Sequence, residues 1–192
     1  EIMPSLVGSE MCIRDSLDSG IDFYAPQTMK APDGRRIMIA WMQAWSNSKF
    51  VPDGVKYFGQ MTVPRELTLK DNRLIQKPIR ELEAYRSGRI CHEKVKITEE
   101  TSLEGVSGRV IDMTVKLKAD DNFREFCMKV AQNEDYYTSV SYDIHRKVLC
   151  VDRSHSGYLY DIMHRREIAV ESVDGMITVS YTHLRAHETR HD

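Results

Sequence analysis

Two tryptophans at the end of an apolar run are the first residues whose types suggest ligand chemistry. Trp41 lies inside the run IMIAWM, and Trp45 follows it, just ahead of the polar stretch Ser46-Asn47-Ser48. Aromatic faces suit sugar rings, because the C–H edges of a sugar pack on the ring while its hydroxyl groups form hydrogen bonds elsewhere. Both are therefore candidates for a sugar-binding surface. Packing in a core is the alternative for each, and it is stronger for Trp41.

Asp22 and Tyr24 form a second candidate pair, within Asp22-Phe23-Tyr24-Ala25-Pro26-Gln27. A carboxylate beside an aromatic ring can organise the arginine and hydroxyl groups of a binding site. A structural hydrogen bond explains the same carboxylate equally well. We predict both residues as candidates for substrate contact and keep the structural alternative open.

Arg65 and Glu66 resemble an acid–base pair only at first sight. Adjacent residues of a strand point to opposite faces, so the two side chains cannot act together on one substrate atom. We expect Arg65 instead to brace two β domains against each other.

Cysteine and histidine usage predicts no metal or cofactor site. The four cysteines, Cys12, Cys91, Cys127 and Cys150, include no C-x-x-C pair, and the histidines lack the spacing of zinc ligands. Unpaired thiols are typical of a reducing compartment, so we expect a cytoplasmic protein.

Charge and hydropathy exclude two classes of partner. The formal net charge of −2 offers no argument for nucleic acid, whose binding proteins usually show a basic face. No apolar run approaches the roughly 18 residues that would indicate a membrane span. We therefore predict neither a nucleic-acid nor a membrane partner.

The interior predicts an all-β protein, because short β-branched and aromatic runs alternate with turn signals. In the first half we expect strands over residues 22–29, 36–42, 57–69 and 74–76. Pro32-Asp33-Gly34-Arg35 predicts a tight hairpin turn between the first two, because Asp-Gly tolerates positive φ. The run over 36–42 is apolar throughout, which indicates burial on both faces. Residues 77–86 have helical spacing, with Pro78 in the first turn.

The second half shows strict alternation of apolar and polar residues over 110–118, which is typical of an antiparallel sheet with one wet face. Further strands are predicted at 126–130, 137–144 and 147–152, and less clearly over 158–170. A β-sandwich is the simplest architecture for this pattern.

The two ends fit neither neighbour. Residues 1–16 and 179–192 lack a strand or helix period that continues the adjacent pattern, and both resemble peptides translated by mistake from sequencing-adapter DNA. We interpret them as artefacts and expect them to pack poorly.

Three motifs follow one another over the first 86 residues. They are Asp22-Phe23-Tyr24-Ala25-Pro26-Gln27, then Gly34-Arg35-Arg36-Ile37 running into Ala40-Trp41-Met42, then Pro64-Arg65-Glu66-Leu67 with Lys77-Pro78 and Glu81-Leu82. In this order and spacing they resemble the end of the catalytic domain of glycoside hydrolase family 32 and its linker. Val151-Asp152-Arg153-Ser154 resembles a strand end of the C-terminal domain of that family.

The resemblance implies the last part of a five-bladed β-propeller followed by a β-sandwich, both incomplete. It implies a parent enzyme that cleaves β-fructosidic bonds in sucrose, sucrose 6-phosphate or fructans with retention, using two carboxyl groups. In this family the nucleophilic Asp lies in Asn-Asp-Pro-Asn and the acid Glu in Glu-Cys, and neither motif occurs here. No catalytic residue is therefore assigned, and we expect the fragment to be inactive. The resemblance also implies that Trp45 lies near the fructose site.

These expectations divide the chain into five parts: artefact (1–16), end of the propeller (17–76), linker with a short helix (77–94), truncated sandwich (95–178) and artefact (179–192). Two alternatives remain. One is a carbohydrate-binding sandwich module, which should expose a cluster of aromatic residues. The other is a fragment of another five-bladed propeller glycosidase.

Overall fold

The computed structural model describes residues 17–20, 22–42, 59–70, 72–108, 110–118, 123–157, 164–170 and 176–183. Apart from one six-residue 3₁₀ helix, the regular structure of these residues is β, as predicted. The chain divides into a first unit, residues 1–45 and 59–79, and a second unit, residues 46–58 and 80–192.

The described part of the first unit is one antiparallel sheet. Its strands are β1 (Tyr24–Lys30), β2 (Arg36–Met42), β3 (Gln60–Met61), β4 (Arg65–Lys70) and β5 (Arg73–Pro78). The order is β1-β2-β4-β5, and β3 pairs with the end of β2. The predicted hairpin between β1 and β2 is confirmed, because Gly34 adopts φ +89° and the Arg35 amide donates to Asp33 Oδ1.

β2 buries alternate residues rather than both faces. Met38 and Ala40 are 2% and 0% exposed, whereas Ile37, Ile39 and Trp41 are half-buried. The expectation of burial on both faces is therefore wrong for the residues that the structure describes. The side chains on the second face of β2 therefore stay partly exposed to solvent.

A β-bulge interrupts the pairing of β1 with β2. Tyr24 pairs with Trp41 and Gln27 with Ile39, so two residues of β1 stand opposite the single residue Ala40. Ala25 adopts φ +46°, and Pro26 has no amide hydrogen to offer a ladder. The strand predicted from residue 22 begins two residues later, at Tyr24.

The predicted helix is shorter and tighter than expected. Lys77 and Pro78 belong to β5, which is an edge strand where a missing amide hydrogen is tolerated. A 3₁₀ helix, Arg80–Tyr85, follows in the second unit. No helix in the described ranges is long and apolar enough to cross a membrane.

The second unit contains two antiparallel sheets. Its strands are β6 (Ile111–Lys118), β7 (Glu125–Val130), β8 (Thr138–Asp143), β9 (Val148–Asp152), β10 (Arg165–Ala169) and β11 (Met176–His183). One sheet has the order β7-β8-β9-β10, and the other pairs β6 with β11. Alternation in β6 and β7 is confirmed, since every second side chain is exposed.

The core of the second unit includes Val140, Tyr142, Cys150 and Ile177, all less than 9% exposed. The Tyr142 hydroxyl donates to the Val170 carbonyl at 3.0 Å, which satisfies its polar end.

β11 runs five residues past the predicted end of the sandwich at 178. All eight of its residues pair with β6, as far as His183 opposite Ile111. The expectation that residues 179–192 join no neighbouring pattern is therefore wrong for 179–183, because an uninterrupted register extends the strand. Residues 1–16 and 184–192 lie outside the described ranges.

Candidate functional site

The structure brings together two of the four predicted site residues, Tyr24 and Trp41. They are cross-strand partners and form the last pair before the β-bulge. Their ring centroids are 6.3 Å apart at an interplanar angle of 63°. This is an edge-to-face contact, which is a favoured arrangement of two aromatic rings. Tyr24 is 43% exposed and Trp41 is half-buried, so the pair offers apolar ring surface at the end of the sheet.

Gly59 lies directly against the indole of Trp41. A Cβ at this position would overlap Nε1 of Trp41 and lie 2.9 Å from Cε2. Gly59 also adopts φ +86°, which side chains rarely tolerate. Glycine is thus required at position 59 for two reasons, the contact with the indole and the positive φ. The sequence analysis missed this residue, although an isolated glycine before a short strand is a signal of close backbone approach.

The other two predicted residues are less well defined. Asp22 is half-buried and precedes Tyr24 by two residues. Trp45 lies outside the described residues, so its assignment to the substrate pocket stays a prediction.

Thr62 holds the buried end of β2 beside this aromatic pair. Its hydroxyl accepts a hydrogen bond from the Ala40 amide at 3.0 Å, and its own amide donates to the Ala40 carbonyl at 2.8 Å. Thr62 is 5% exposed, so the pairing satisfies polar groups that water cannot reach. Ala40, which faces the bulge, therefore keeps both of its backbone groups bonded.

Arg65 and Glu66 have separate partners, as expected for adjacent strand residues. Arg65 Nη2 donates to Asp18 Oδ2 at 2.6 Å, while Glu66 Oε1 accepts from Arg35 Nη1 at 2.7 Å. The described partners of Arg65 all belong to the first unit, so the contacts expected of a brace between two domains are not among them. Glu66 is equally occupied, as the acceptor of an ion pair.

Three carboxyl groups with lowered pKa lie in the second unit, Asp143 and Asp152 at the ends of β8 and β9 and Glu167 in the middle of β10. The Arg146 amide lowers the pKa of Asp143, and the Ser154 side chain lowers the pKa of Asp152. The Arg146 guanidinium does the same for the pKa of Glu167. Asp152 also accepts from the Ser154 amide at 2.8 Å, the strand-end turn expected from the sequence. Groups whose pKa is shifted in this direction stay ionised at neutral pH.

Partial burial raises the pKa of the Cys127 thiol, which disfavours the thiolate form that would act as a nucleophile. Among the described residues, no three histidine, cysteine or acidic side chains are grouped so that they could hold a metal ion.

The first unit thus presents a partly exposed pair of aromatic rings, with the half-buried Asp22 two residues ahead of Tyr24 in sequence, and ion-paired side chains on β4. A single antiparallel sheet followed by a two-sheet β unit is the arrangement expected for part of a β-propeller followed by a β-sandwich. The profile of the Glycosyl hydrolases family 32 N-terminal domain matches residues 9–78, and that of the family 32 C-terminal domain matches residues 81–186. The chain belongs to glycosyl hydrolase family 32.

Two curated relatives are similar to parts of the chain. Raffinose invertase of Escherichia coli is 49% identical over 72 residues, which are 38% of this chain and 15% of the invertase. Levanase of Bacillus subtilis is 33% identical over 150 residues, 73% of this chain and 22% of the levanase. The chain thus spans less than a quarter of the length of either relative.

A solved structure shows the same fold. The sucrose-6-phosphate hydrolase of Lactobacillus gasseri superposes with a TM-score of 0.64 at 20% identity, covering 87% of this chain and 33% of that one. The predicted architecture, the last part of a propeller followed by a sandwich, is confirmed.

Proposed function

We propose that this chain supplies the last propeller strands and the sandwich of an enzyme that hydrolyses β-fructosidic bonds. The proposed substrates are sucrose, sucrose 6-phosphate or fructans, because the similar proteins are named as a raffinose invertase, a sucrose-6-phosphate hydrolase and a levanase. The observation that carries the proposal is the Tyr24–Trp41 aromatic pair, formed by two of the three ordered motifs, within a chain matched by both family profiles.

In this proposal Tyr24 and Trp41 orient the sugar and Asp22 contributes a hydrogen-bond acceptor beside them. None of the three performs the chemistry. Retaining hydrolysis needs two carboxyl groups about 5–5.5 Å apart, one as nucleophile and one as acid–base catalyst. The first-unit carboxylates Asp18 and Glu66 are bound by arginines. The chain alone is therefore inactive, as the absence of both catalytic motifs from its sequence also predicts.

The sandwich itself is not the preferred sugar-binding surface. A binding module of this type should expose a cluster of aromatic residues. Among the residues between Val95 and Gly157 that the structure describes, Tyr136 is the one exposed tyrosine or phenylalanine, at 50%, while Tyr137 is stacked on His155 with centroids 4.8 Å apart. Residues 158–163, which include two further tyrosines, are outside the described ranges.

The three described cysteines are unpaired, which supports the cytoplasmic location that we also propose.

A chimera tests the proposal. The stretch of Escherichia coli raffinose invertase that matches this chain is replaced by the corresponding residues of this chain, and fructose release is measured. Sucrose, sucrose 6-phosphate and inulin are assayed in parallel. We expect release from at least one of them. A chimera that elutes as the parent does and unfolds cooperatively, yet releases no fructose from any of the three, would contradict the proposal.

A further inference from the structure

Arg65 is the centre of a polar cluster that lies ahead of the aromatic pair. Its Nη2 donates to Asp18 Oδ2 at 2.6 Å, and its Nη1 donates to Gln76 Oε1 at 3.0 Å. The guanidinium also lies over the Phe23 ring, 5.3 Å from the centroid. One side chain of β4 therefore contacts β5 and three residues of the stretch that precedes β1, namely Leu17, Asp18 and Phe23.

The partners of Arg65 are themselves bonded to that stretch. Asp18 Oδ1 accepts from the Gly20 amide at 2.6 Å, and Gln76 Nε2 donates to the Leu17 carbonyl at 2.7 Å. The side chains of Arg65 and Asp18 are only 24% and 17% exposed, so solvent screens their ion pair less than it would a surface pair. The cluster fixes the backbone of the chain where it approaches β1.

The sheet alone gives that approach little support. Tyr24 pairs with Trp41, but the bulge interrupts the regular ladder directly after it, and the next pair is Gln27 with Ile39. Tyr24 is the first residue of β1, so Asp22 and Phe23 precede the ladder. Their position depends on contacts made by side chains rather than on continuous strand pairing.

We infer that Arg65 is a positioning residue, which holds the residues ahead of β1 so that Tyr24 stands beside Trp41. The inference rests on the proposed function for its meaning in catalysis, but the positioning itself is a property of this chain. The planar guanidinium is necessary because it serves Asp18 and Gln76 with separate nitrogens, which a lysine ammonium cannot reproduce in the same geometry.

The test uses the fluorescence of Trp41 in the full 192-residue chain. Trp45→Phe leaves Trp41 as the single tryptophan, and emission maximum and acrylamide quenching are compared in that background. Arg65→Gln is expected to release Tyr24 from the indole, moving the emission of Trp41 to longer wavelength and increasing its quenching. Tyr24→Ala should produce the same change, and Arg65→Lys should restore only part of the original signal.

Arg35→Gln is the matched control. Arg35 forms an equally short ion pair with Glu66, the neighbour of Arg65 on β4, but its described side-chain contacts reach the β1–β2 turn instead. Circular dichroism confirms that each variant remains folded. If Arg65→Gln folds and leaves the Trp41 signal unchanged, or if Arg35→Gln shifts it equally, the inference is wrong. Failure of the chimera to release fructose would overturn the proposed function and leave this result intact.

Discussion

The indole of Trp41 occupies the space that a side chain at Gly59 would need. The two residues come from β2 and from the position immediately before β3, whose residues Gln60 and Met61 pair with Met42 and Trp41. Gly59 therefore allows the indole of Trp41 to take its position in the candidate site. Replacing Gly59 should displace this indole before it disturbs the rest of the sheet.

We predict that Gly59→Ala lowers the free energy of unfolding by about 2–5 kcal/mol, through a left-handed backbone and overlap with the indole. Gly34→Ala is the matched control, because Gly34 also has positive φ but no atom stands within 4 Å of its Cβ position. It should cost only about 1–2 kcal/mol. Urea unfolding measures both. Equal losses at the two positions would show that the Trp41 contact contributes nothing.

Thr62 should be indispensable for its hydroxyl rather than for its shape. Thr62→Val keeps the volume but leaves the Ala40 amide, buried at that end of β2, without its acceptor. We expect a loss of about 1–3 kcal/mol, the usual cost of an unsatisfied buried polar group. Thr62→Ser retains the acceptor and should cost less in the same denaturant titration. The reverse ranking would contradict the assigned hydrogen bond.

The second unit should lose stability in acid. Asp143, Asp152 and Glu167 have pKa values below their usual 3.8, 3.8 and 4.5, so the unfolded chain binds protons more readily than the folded one. Their stabilisation is complete above about pH 5 and is lost as the pH falls through the lowered values. Thermal unfolding between pH 6 and pH 2.5 should show a falling midpoint.

Asp143→Asn isolates one of these groups, because an amide oxygen can still accept from the His145 and Arg146 amides. The variant should be less stable than the parent at pH 6 and should lose less stability on acidification. Glu134→Gln, at an exposed position, serves as the control. An acid slope as steep in Asp143→Asn as in the parent would refute the assignment.

Trp41 should matter for binding and not only for packing. In the invertase chimera, Trp41→Ala is expected to lower kcat/KM for sucrose about tenfold, equivalent to about 1.4 kcal/mol of lost interaction. Trp41→Phe should retain most of the activity, and Met29→Ala, at an exposed position of β1, should retain all of it. Loss of activity in Met29→Ala would point to a general weakness of the graft.

Much of the fold could be predicted from local pattern. Strict alternation gave β6 within one residue, and the Asp33-Gly34 turn gave the hairpin before β2, because both signals depend on neighbours in sequence. The motifs also identified Tyr24 and Trp41 as candidates before the structure placed their rings in contact. The alternation, the turn and the motifs can all be recognised from residue types and from near neighbours in the sequence.

What could not be predicted depends on contacts between distant residues. The bulge at Ala25 needs the register of β2, and the strand status of Pro78 needs the edge position of β5. Likewise, the pairing of residues 179–183 is visible only once β6 lies beside them. The ion pair of Arg65 with Asp18 could not be predicted for the same reason, since Asp18 is 47 residues away in sequence.

We propose that this chain shapes a fructoside-binding surface but holds no catalytic carboxyl pair. Fructose release from sucrose by the pure 192-residue chain, measured beside an equal concentration of the chimera, tests that claim most directly. We predict release by the chimera and none by the chain above a buffer control. Sustained release by the chain itself would mean that its own carboxylates carry out the hydrolysis, and it would contradict the account.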